Sequence, residues 1–279
     1  MVKRRFKSRL FIAILGFVSC FSLLMLRLFD VQLVRGESFW ESVEQNRWYE
    51  LPVVPPRGVI VDRFGVPIVE NHRYYTEVEN PDQIYSPAHL ITQEEALQIM
   101  ATESARVRMH SARRYPYGES LAHVVGYVGA ITQDDLNEDR SLQPFSSIGK
   151  SGLEATFERQ LRGQLGRDRY EVDAQVRRQK KITVNPAQNG QNIPTSLDPI
   201  LSEIAYRSLG DQRGVVAISD VSTGELLSLV SKPAFDPNVF VDLDQIREQE
   251  TRQTASNVIQ SWFSDEHRPF FNRAVSGQY

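Results

Sequence analysis

Seventeen consecutive uncharged residues, Leu10 to Leu26, follow five cations, Lys3, Arg4, Arg5, Lys7 and Arg9, that have no acidic residue among them. A run of that length is at the short end of the roughly 17–25 apolar residues with which a helix spans a bilayer. Leu28 and Phe29 carry the apolar face past Arg27, whose long stem can lie in the bilayer while its head reaches the interface. Cations ahead of the run predict a basic cytoplasmic tip over 1–9, a transmembrane helix over 10–29, and a body on the other side of the membrane. A buried core helix is the weaker reading, because such helices rarely carry five cations on one flank and this run has no amphipathic stripe. A cleaved signal peptide is the stronger rival, since signal h-regions are short, but no small-x-small cleavage site follows. Phe17-Val18-Ser19-Cys20 faintly resembles an acylation site, yet hydrophobic residues continue past Cys20. This sole cysteine therefore reads as a small side chain within the membrane, and it permits no internal disulfide.

The 279 residues, 41% hydrophobic and 24% charged, suffice for one large or two modest domains with real cores. Without the five leading cations, 27 basic residues face 35 acidic ones. That mildly acidic body argues against nucleic acid as a partner, which would call for a basic face. The basic tip instead suits the lipid bilayer and its anionic surface.

Beyond the membrane, residues 30–51 read as a juxtamembrane helix with Phe39, Trp40, Val43 and Trp48 as bulky members, ended by Pro52, Pro55 and Pro56. A first, mixed α+β domain is expected over 52–190. The stretch from Arg57 gives a hairpin signal, two apolar runs about a turn at Asp62 to Gly65. Thr92 with Glu95 opens a short helix through a capping box, Thr132 to Glu138 reads as another, and Ser151 with Glu154 gives a second capping box before a helix stopped by Gly163. Tyr170 to Asp173 and Lys181 to Val184 look like strands. The pattern changes at Pro194, and a second domain is expected from 194 to 279. Asp198 and Pro199 start a helix with Leu197, Ile200, Leu201, Ile204, Ala205 and Leu209 on one face. An antiparallel hairpin follows, Gly214 to Asp220 and Glu225 to Ser231 about Ser222-Thr223-Gly224.

Taken in order, these blocks resemble the class B penicillin-binding proteins over essentially the whole chain. The resemblance rests on Arg57-Gly58-x-Ile60-x-Asp62-Arg63-x-Gly65, Leu121 to Gly129, Ile148 to Glu154 with Phe157-Glu158 and Leu161 to Gly163, and Tyr170 to Ala174. It continues through Thr195 to Asp198, Thr223 to Glu225, Ser231 to Pro233 with Phe235 to Asn238, and Phe271 to Ala274 with Gly277 and Tyr279. The Lys150-to-Glu154 and Phe235-to-Asn238 blocks are similar to the elongation, or cell-shape, branch.

That resemblance implies an α+β fold with one amino-terminal transmembrane helix, a pedestal (dimerisation) domain and the opening of a transpeptidase domain, in a bacterial cytoplasmic membrane. It implies a serine D,D-transpeptidase that cross-links D-alanyl-D-alanine stem peptides and is trapped by penicillin. It also implies partners: a membrane peptidoglycan glycosyltransferase, other elongation-complex proteins and the stem peptides. A serine hydroxyl needs a base to accept its proton, and the family supplies a lysine one helical turn later, in Ser-x-x-Lys. The family's serine is expected beyond Tyr279, so no catalytic, cofactor or metal residue is expected within the 279. Ser147-Ile148-Gly149-Lys150, followed by Ser151-Gly152, mimics both Ser-x-x-Lys and Lys-Ser-Gly. One lysine cannot serve both elements, and the block matches the pedestal. A phosphate loop is excluded by Pro144, where its first glycine belongs.

The five histidines, His72, His89, His110, His123 and His267, do not fall at metal-ligand spacing, and His123 is expected to pack or hydrogen-bond locally. Arg57 with Asp62 or Arg63 is expected to form a structural ion pair at the pedestal base. Two functional classes remain: part of an enzyme, or a non-enzymatic pedestal module that binds and activates the glycosyltransferase. A β-lactam sensor is a distant third.

Overall fold

The computed structural model describes residues 2–34, 47–145, 147–241 and 249–277. The chain forms two compact units, residues 1–50 with 169–181, and residues 51–168 with 182–279. Strands are numbered β1 to β12 in chain order.

The first unit begins with the helix Val2–Phe29, which continues as a π-helical turn, Asp30–Val34. Within it Ile14–Gln32 is 19 residues long and apolar enough to cross a membrane. Large side chains such as Phe17 (73%) and Leu24 (64%) are exposed along it. Arg27 closes an ion pair with Asp30 one turn on, 2.7 Å apart. The juxtamembrane helix expected to reach residue 51 does not do so. Phe39, Trp40 and Val43 lie outside the described residues, and Trp48–Val53 is a strand, β1, in a three-stranded sheet of order β1-β8-β9 with β8 Gly166–Val172 and β9 Arg178–Asn185. Aromatic and β-branched residues favour the pleated state here, and Pro52 is tolerated because β1 is an edge strand. Arg169 pairs with Glu50 at 2.5 Å and Arg47 with Glu171 at 2.8 Å. The expected strands at 170–173 and 181–184 are β8 and β9.

The second unit is mixed α+β. Its main sheet has the order β10-β2-β3-β4, with β2 Ile60–Val61, β3 Pro67–Val78, β4 Ala88–Ile91 and β10 Ile193–Pro194, and β5 Val107–Arg114 also pairs with β3. The hairpin expected from Arg57 onward is the β2–β3 pair. Asp62 Oδ1 accepts from the amides of Phe64 and Val66, both at 2.8 Å, and Gly65 supplies φ +82°. The helix Gln93–Glu103 is capped reciprocally by Thr92 and Glu95, and Gln133–Glu138 by Thr132 and Asp135. The small strands β6 Val128–Ala130 and β7 Ser147–Gly149 pair antiparallel.

One buried cluster holds Ile60, Ile68, Val69, Leu121, Val125 and Leu161 together with Ile193, Leu197 and Val241, so segments on both sides of Pro194 share it. The helix Pro199–Ser208 starts as expected, with Asp198 Oδ1 accepting from the amides of Ile200 and Leu201. Its apolar face is divided, however. Ser202 and Ala205 are buried, Ser202 bonding Ser228 Oγ at 3.0 Å, whereas Ile200 and Ile204 are more than half exposed. The hairpin β11 Gly214–Ser219 with β12 Leu226–Lys232 is antiparallel as expected, Gly214 opposite Lys232 and Val216 opposite Val230.

Candidate functional site

Four charged side chains from distant parts of the chain meet in the second unit. Arg57 follows Pro55 and Pro56, Arg113 is the last residue but one of β5, Glu154 lies in the helix Gly152–Thr156, and Glu158 opens Glu158–Arg162. Glu154 is fully buried and divides its carboxylate between the two arginines. Its Oε2 accepts from Arg57 Nη2 at 2.6 Å and Nε at 2.9 Å, and its Oε1 from Arg113 Nε at 2.7 Å. Glu158 Oε2 accepts from Arg57 Nη2 at 2.5 Å and from the amide of Gly149 at 2.9 Å. Arg113 Nη1 donates to the carbonyl of Gly58 at 2.7 Å and to Asn71 Oδ1 at 2.9 Å, and Asn71 Nδ2 donates to the carbonyl of Arg57 at 2.6 Å. Burial works against the Arg57 cation, but Glu154 and Glu158 overcome it and its pKa is raised.

Two guanidiniums balance two carboxylates with directional bonds, the arrangement that makes buried charge tolerable. None of the four is left as a base or nucleophile. The cluster is a clamp joining four blocks of sequence, 57–58, 71, 113 and 149–158. The expected ion pair of Arg57 with Asp62 or Arg63 is thereby corrected, because Asp62 is spent on its own turn. The expected capping box at Ser151 is corrected as well: Ser151 makes no side-chain cap bond, and Glu154 points to the two arginines instead. Arg113 and Asn71 were invisible to sequence reasoning, and Glu158 was seen only as part of a motif block, without its partner. Arg113 sits in the polar-looking run Val107–Arg114, where period-2 alternation puts it on the face of the exposed Met109 and Ser111, so no local pattern announces its burial.

Ser147 and Lys150 do not form a helical Ser-x-x-Lys pair. Ser147 lies in β7 opposite Ala130, and Lys150 follows the strand. Lys150 Nζ bonds Asp135 Oδ2 at 2.5 Å, and that bond, with the backbone amide of Thr132, lowers the Asp135 pKa to about 2.

A second, aromatic, cluster forms around Phe235. His123 packs edge-on to that ring with centroids 5.5 Å apart, and its Nε2 lies 3.3 Å from the carbonyl of Pro233. Burial lowers the His123 pKa. Phe240, Trp262 and Phe270 complete the group. Asn238, in the Phe235-to-Asn238 block, accepts from the amide of Tyr115 and donates to its carbonyl, both at 2.9 Å, as a strand neighbour would. Asn272 caps the short helix Arg273–Ser276, and the amide of Arg273 donates to Ser231 Oγ at 3.0 Å. Among the described residues no group of three or more His, Cys, Asp or Glu side chains is placed to hold a metal ion.

The Penicillin-binding Protein dimerisation domain family matches residues 86–195. The peptidoglycan D,D-transpeptidase MrdA of Acinetobacter baumannii is 30% identical over 319 residues, covering 99% of this chain and 46% of that protein. The chain spans about half the length of the curated relatives it matches. Among solved structures, the complex between a penicillin-binding protein (PBP2) and MreC from Helicobacter pylori superposes with a TM-score of 0.61 at 21% identity, over 81% of this chain and 49% of that one. A structure described as coordinating polymerization and crosslinking by a peptidoglycan synthase complex gives 0.59 at 21% identity, over 96% and 52%. At that identity both likenesses speak for the fold.

Proposed function

We propose that this chain, which belongs to the class B penicillin-binding proteins of the elongation type, forms the membrane anchor and pedestal of a peptidoglycan D,D-transpeptidase that cross-links D-alanyl-D-alanine stem peptides. The observation that carries this reading is the alignment over 99% of the chain with a relative of that activity. In this reading 1–9 is a cytoplasmic tip, 10–29 the bilayer anchor, 52–190 the pedestal, and 194–279 the opening of the transpeptidase domain. The match over 86–195 supports a pedestal ending there.

Among the described residues Ser147 and Lys150 do not act as nucleophile and base, because Ser147 is held in a strand and Lys150 is committed to Asp135. The task left to the pedestal is non-enzymatic: docking a membrane peptidoglycan glycosyltransferase and other proteins of the elongation complex. The likeness to a synthase complex supports this, and the charge clamp suits a body that must transmit position without yielding.

The test presents the purified chain, in detergent micelles, with a fluorescent penicillin and with a membrane peptidoglycan glycosyltransferase. The glycosyltransferase should be retained while the chain stays unlabelled, and Ser147→Ala should change neither result. Labelling that Ser147→Ala abolishes would overturn the reading of that serine, and failure to retain the glycosyltransferase would overturn the docking role. Orientation gives a further prediction. With Lys3 to Arg9 ahead of the apolar helix, a reporter fused after residue 60 reads out on the non-cytoplasmic side. A cytoplasmic signal there refutes the assigned topology.

A further inference from the structure

The sheet of the first unit is entered from the apolar helix at one end, and a turn stands at that end. Glu171 of β8 pairs with Arg47, just ahead of β1, at 2.8 Å, and Arg169 of β8 pairs with Glu50 at 2.5 Å. Ascending β1 therefore runs against descending β8, which places the turn after β8, residues 173–177, beside the start of β1. The chain arrives there from the helix, and residues 35–47 bridge no more than about 45 Å even if fully extended.

The turn is fixed and its tip is uncovered. Asp173 Oδ1 accepts from the amides of Gln175 and Arg177, both at 2.9 Å, and its Oδ2 from Arg177 Nε at 2.7 Å. Ala174 and Gln175 are exposed, as is Val176, 42%, at φ +59°. A β-branched residue rarely adopts that left-handed backbone, in which glycine or asparagine would sit without strain. The fold thus turns an apolar side chain outward at a backbone cost. Behind the tip the charge is positive: between residues 169 and 181 five cations accompany two carboxylates, and both carboxylates are taken up, Glu171 by Arg47 and Asp173 by Arg177. Arg178, over the Tyr170 ring at 4.9 Å, and the exposed Lys180 make no ion pair among the described residues, and Lys181 is exposed next to them.

We infer that the β8–β9 turn rests on the anionic headgroups of the bilayer that the chain's own helix spans, with Val176 at the interface and the cations of β9 drawn to lipid phosphates. An outward apolar side chain backed by unneutralised cations is the composition of an interfacial membrane contact. The attraction of such cations to an anionic surface fades within a Debye length, so it acts only where the fold brings them close, and the antiparallel β1–β8 pair does so at the membrane end of the sheet. The contact gives the anchor a second foothold and restrains the tilt of the sheet. The inference rests on the anchor proposed above.

The test uses the full chain in lipid nanodiscs, with Cys20→Ser and Ala174→Cys so that a single fluorophore marks the turn, and a lipid carrying a nitroxide on its headgroup as the quencher. Quenching should be about fivefold stronger or more in discs of phosphatidylcholine with phosphatidylglycerol than in discs of phosphatidylcholine alone, since each cation near an anionic surface strengthens the contact about fivefold. Lys180→Gln joined to Lys181→Gln should remove that difference. Val176→Gly, which relaxes the left-handed backbone and so does not threaten folding, should also weaken the quenching, whereas Arg207→Gln, in the second unit, should leave it unchanged. Equal quenching in the two kinds of disc, or quenching indifferent to the lysines or to Val176, overturns the inference. So does loss of the anionic preference when inorganic phosphate replaces chloride at equal ionic strength, because the turn would then be a site for the free ion. A chain that never enters the discs refutes the anchor itself, and a chain that enters them without quenching refutes the contact of the turn alone.

Discussion

Glu154→Gln should cost the second unit about 3–5 kcal/mol, the usual penalty for removing one partner of a buried charge pair. The substitution keeps the shape of the side chain and removes only its charge. Two arginines would then face a single remaining carboxylate, Glu158, in a place where Glu154 is fully buried and the Arg113 side chain is 2% exposed. Solvent cannot take over the lost role at that depth. Arg113→Met alone should cost nearly as much, because it strands Glu154 Oε1 and leaves Gly58 and Asn71 without their donor. Joining Glu154→Leu to Arg113→Met should recover part of the loss, since an apolar pair of similar volume carries no desolvation cost. Urea unfolding followed through Trp262 fluorescence measures all three variants. A loss under about 1 kcal/mol for Glu154→Gln, the level of an exposed pair, would contradict the clamp.

Elements set by local chemistry were legible in the sequence. Thr92 with Glu95, Asp198 with Pro199 and the turn closed by Gly65 each act within four residues, so spacing alone locates them. The same logic failed where a residue with a local role had a stronger distant partner. Glu154 stands three residues after Ser151, yet the two guanidiniums outweigh one backbone amide, and those arginines lie 41 and 97 positions away. Trp48 to Val53 failed for a related reason: continuity with an apolar helix suggested more helix, whereas pairing with β8 decided the outcome. The helix Pro199–Ser208 was placed correctly, but the extent of its burial was not legible, because periodicity identifies an apolar stripe without saying how much of it finds a partner. For the candidate site, the motif blocks pointed to the right segments, while the bonds joining them, and Arg113 above all, emerged only from the fold.

Gly190→Ala should be the most damaging change that alters neither charge nor polarity. A Cβ on Gly190 would lie 1.8 Å from the carbonyl oxygen of Leu161 and 2.4 Å from the amide nitrogen of Gly58. Both are backbone atoms, so no side-chain rotation relieves the clash. Gly58 is held in the same way, since its own Cβ would meet the carbonyl oxygen of Gln191 at 1.9 Å. The three segments are laced by short bonds, Gly58 N to Leu161 O at 2.8 Å, Gly190 N to Pro56 O at 3.1 Å and Gln191 N to Gln160 O at 2.9 Å. Separating them displaces Arg57, next to Gly58, from Glu154 and Glu158, so the methyl group also weakens the charge clamp. Overpacking commonly costs about 1–3 kcal/mol, and this site belongs at or above the top of that range. Gly65→Ala provides the scale. Its φ is +82° with nothing within 4 Å of the added carbon, so only the left-handed backbone penalty of about 1–2 kcal/mol applies. Urea midpoints should therefore fall further for Gly190→Ala than for Gly65→Ala, and the reverse order would mean that the three segments are not packed backbone to backbone.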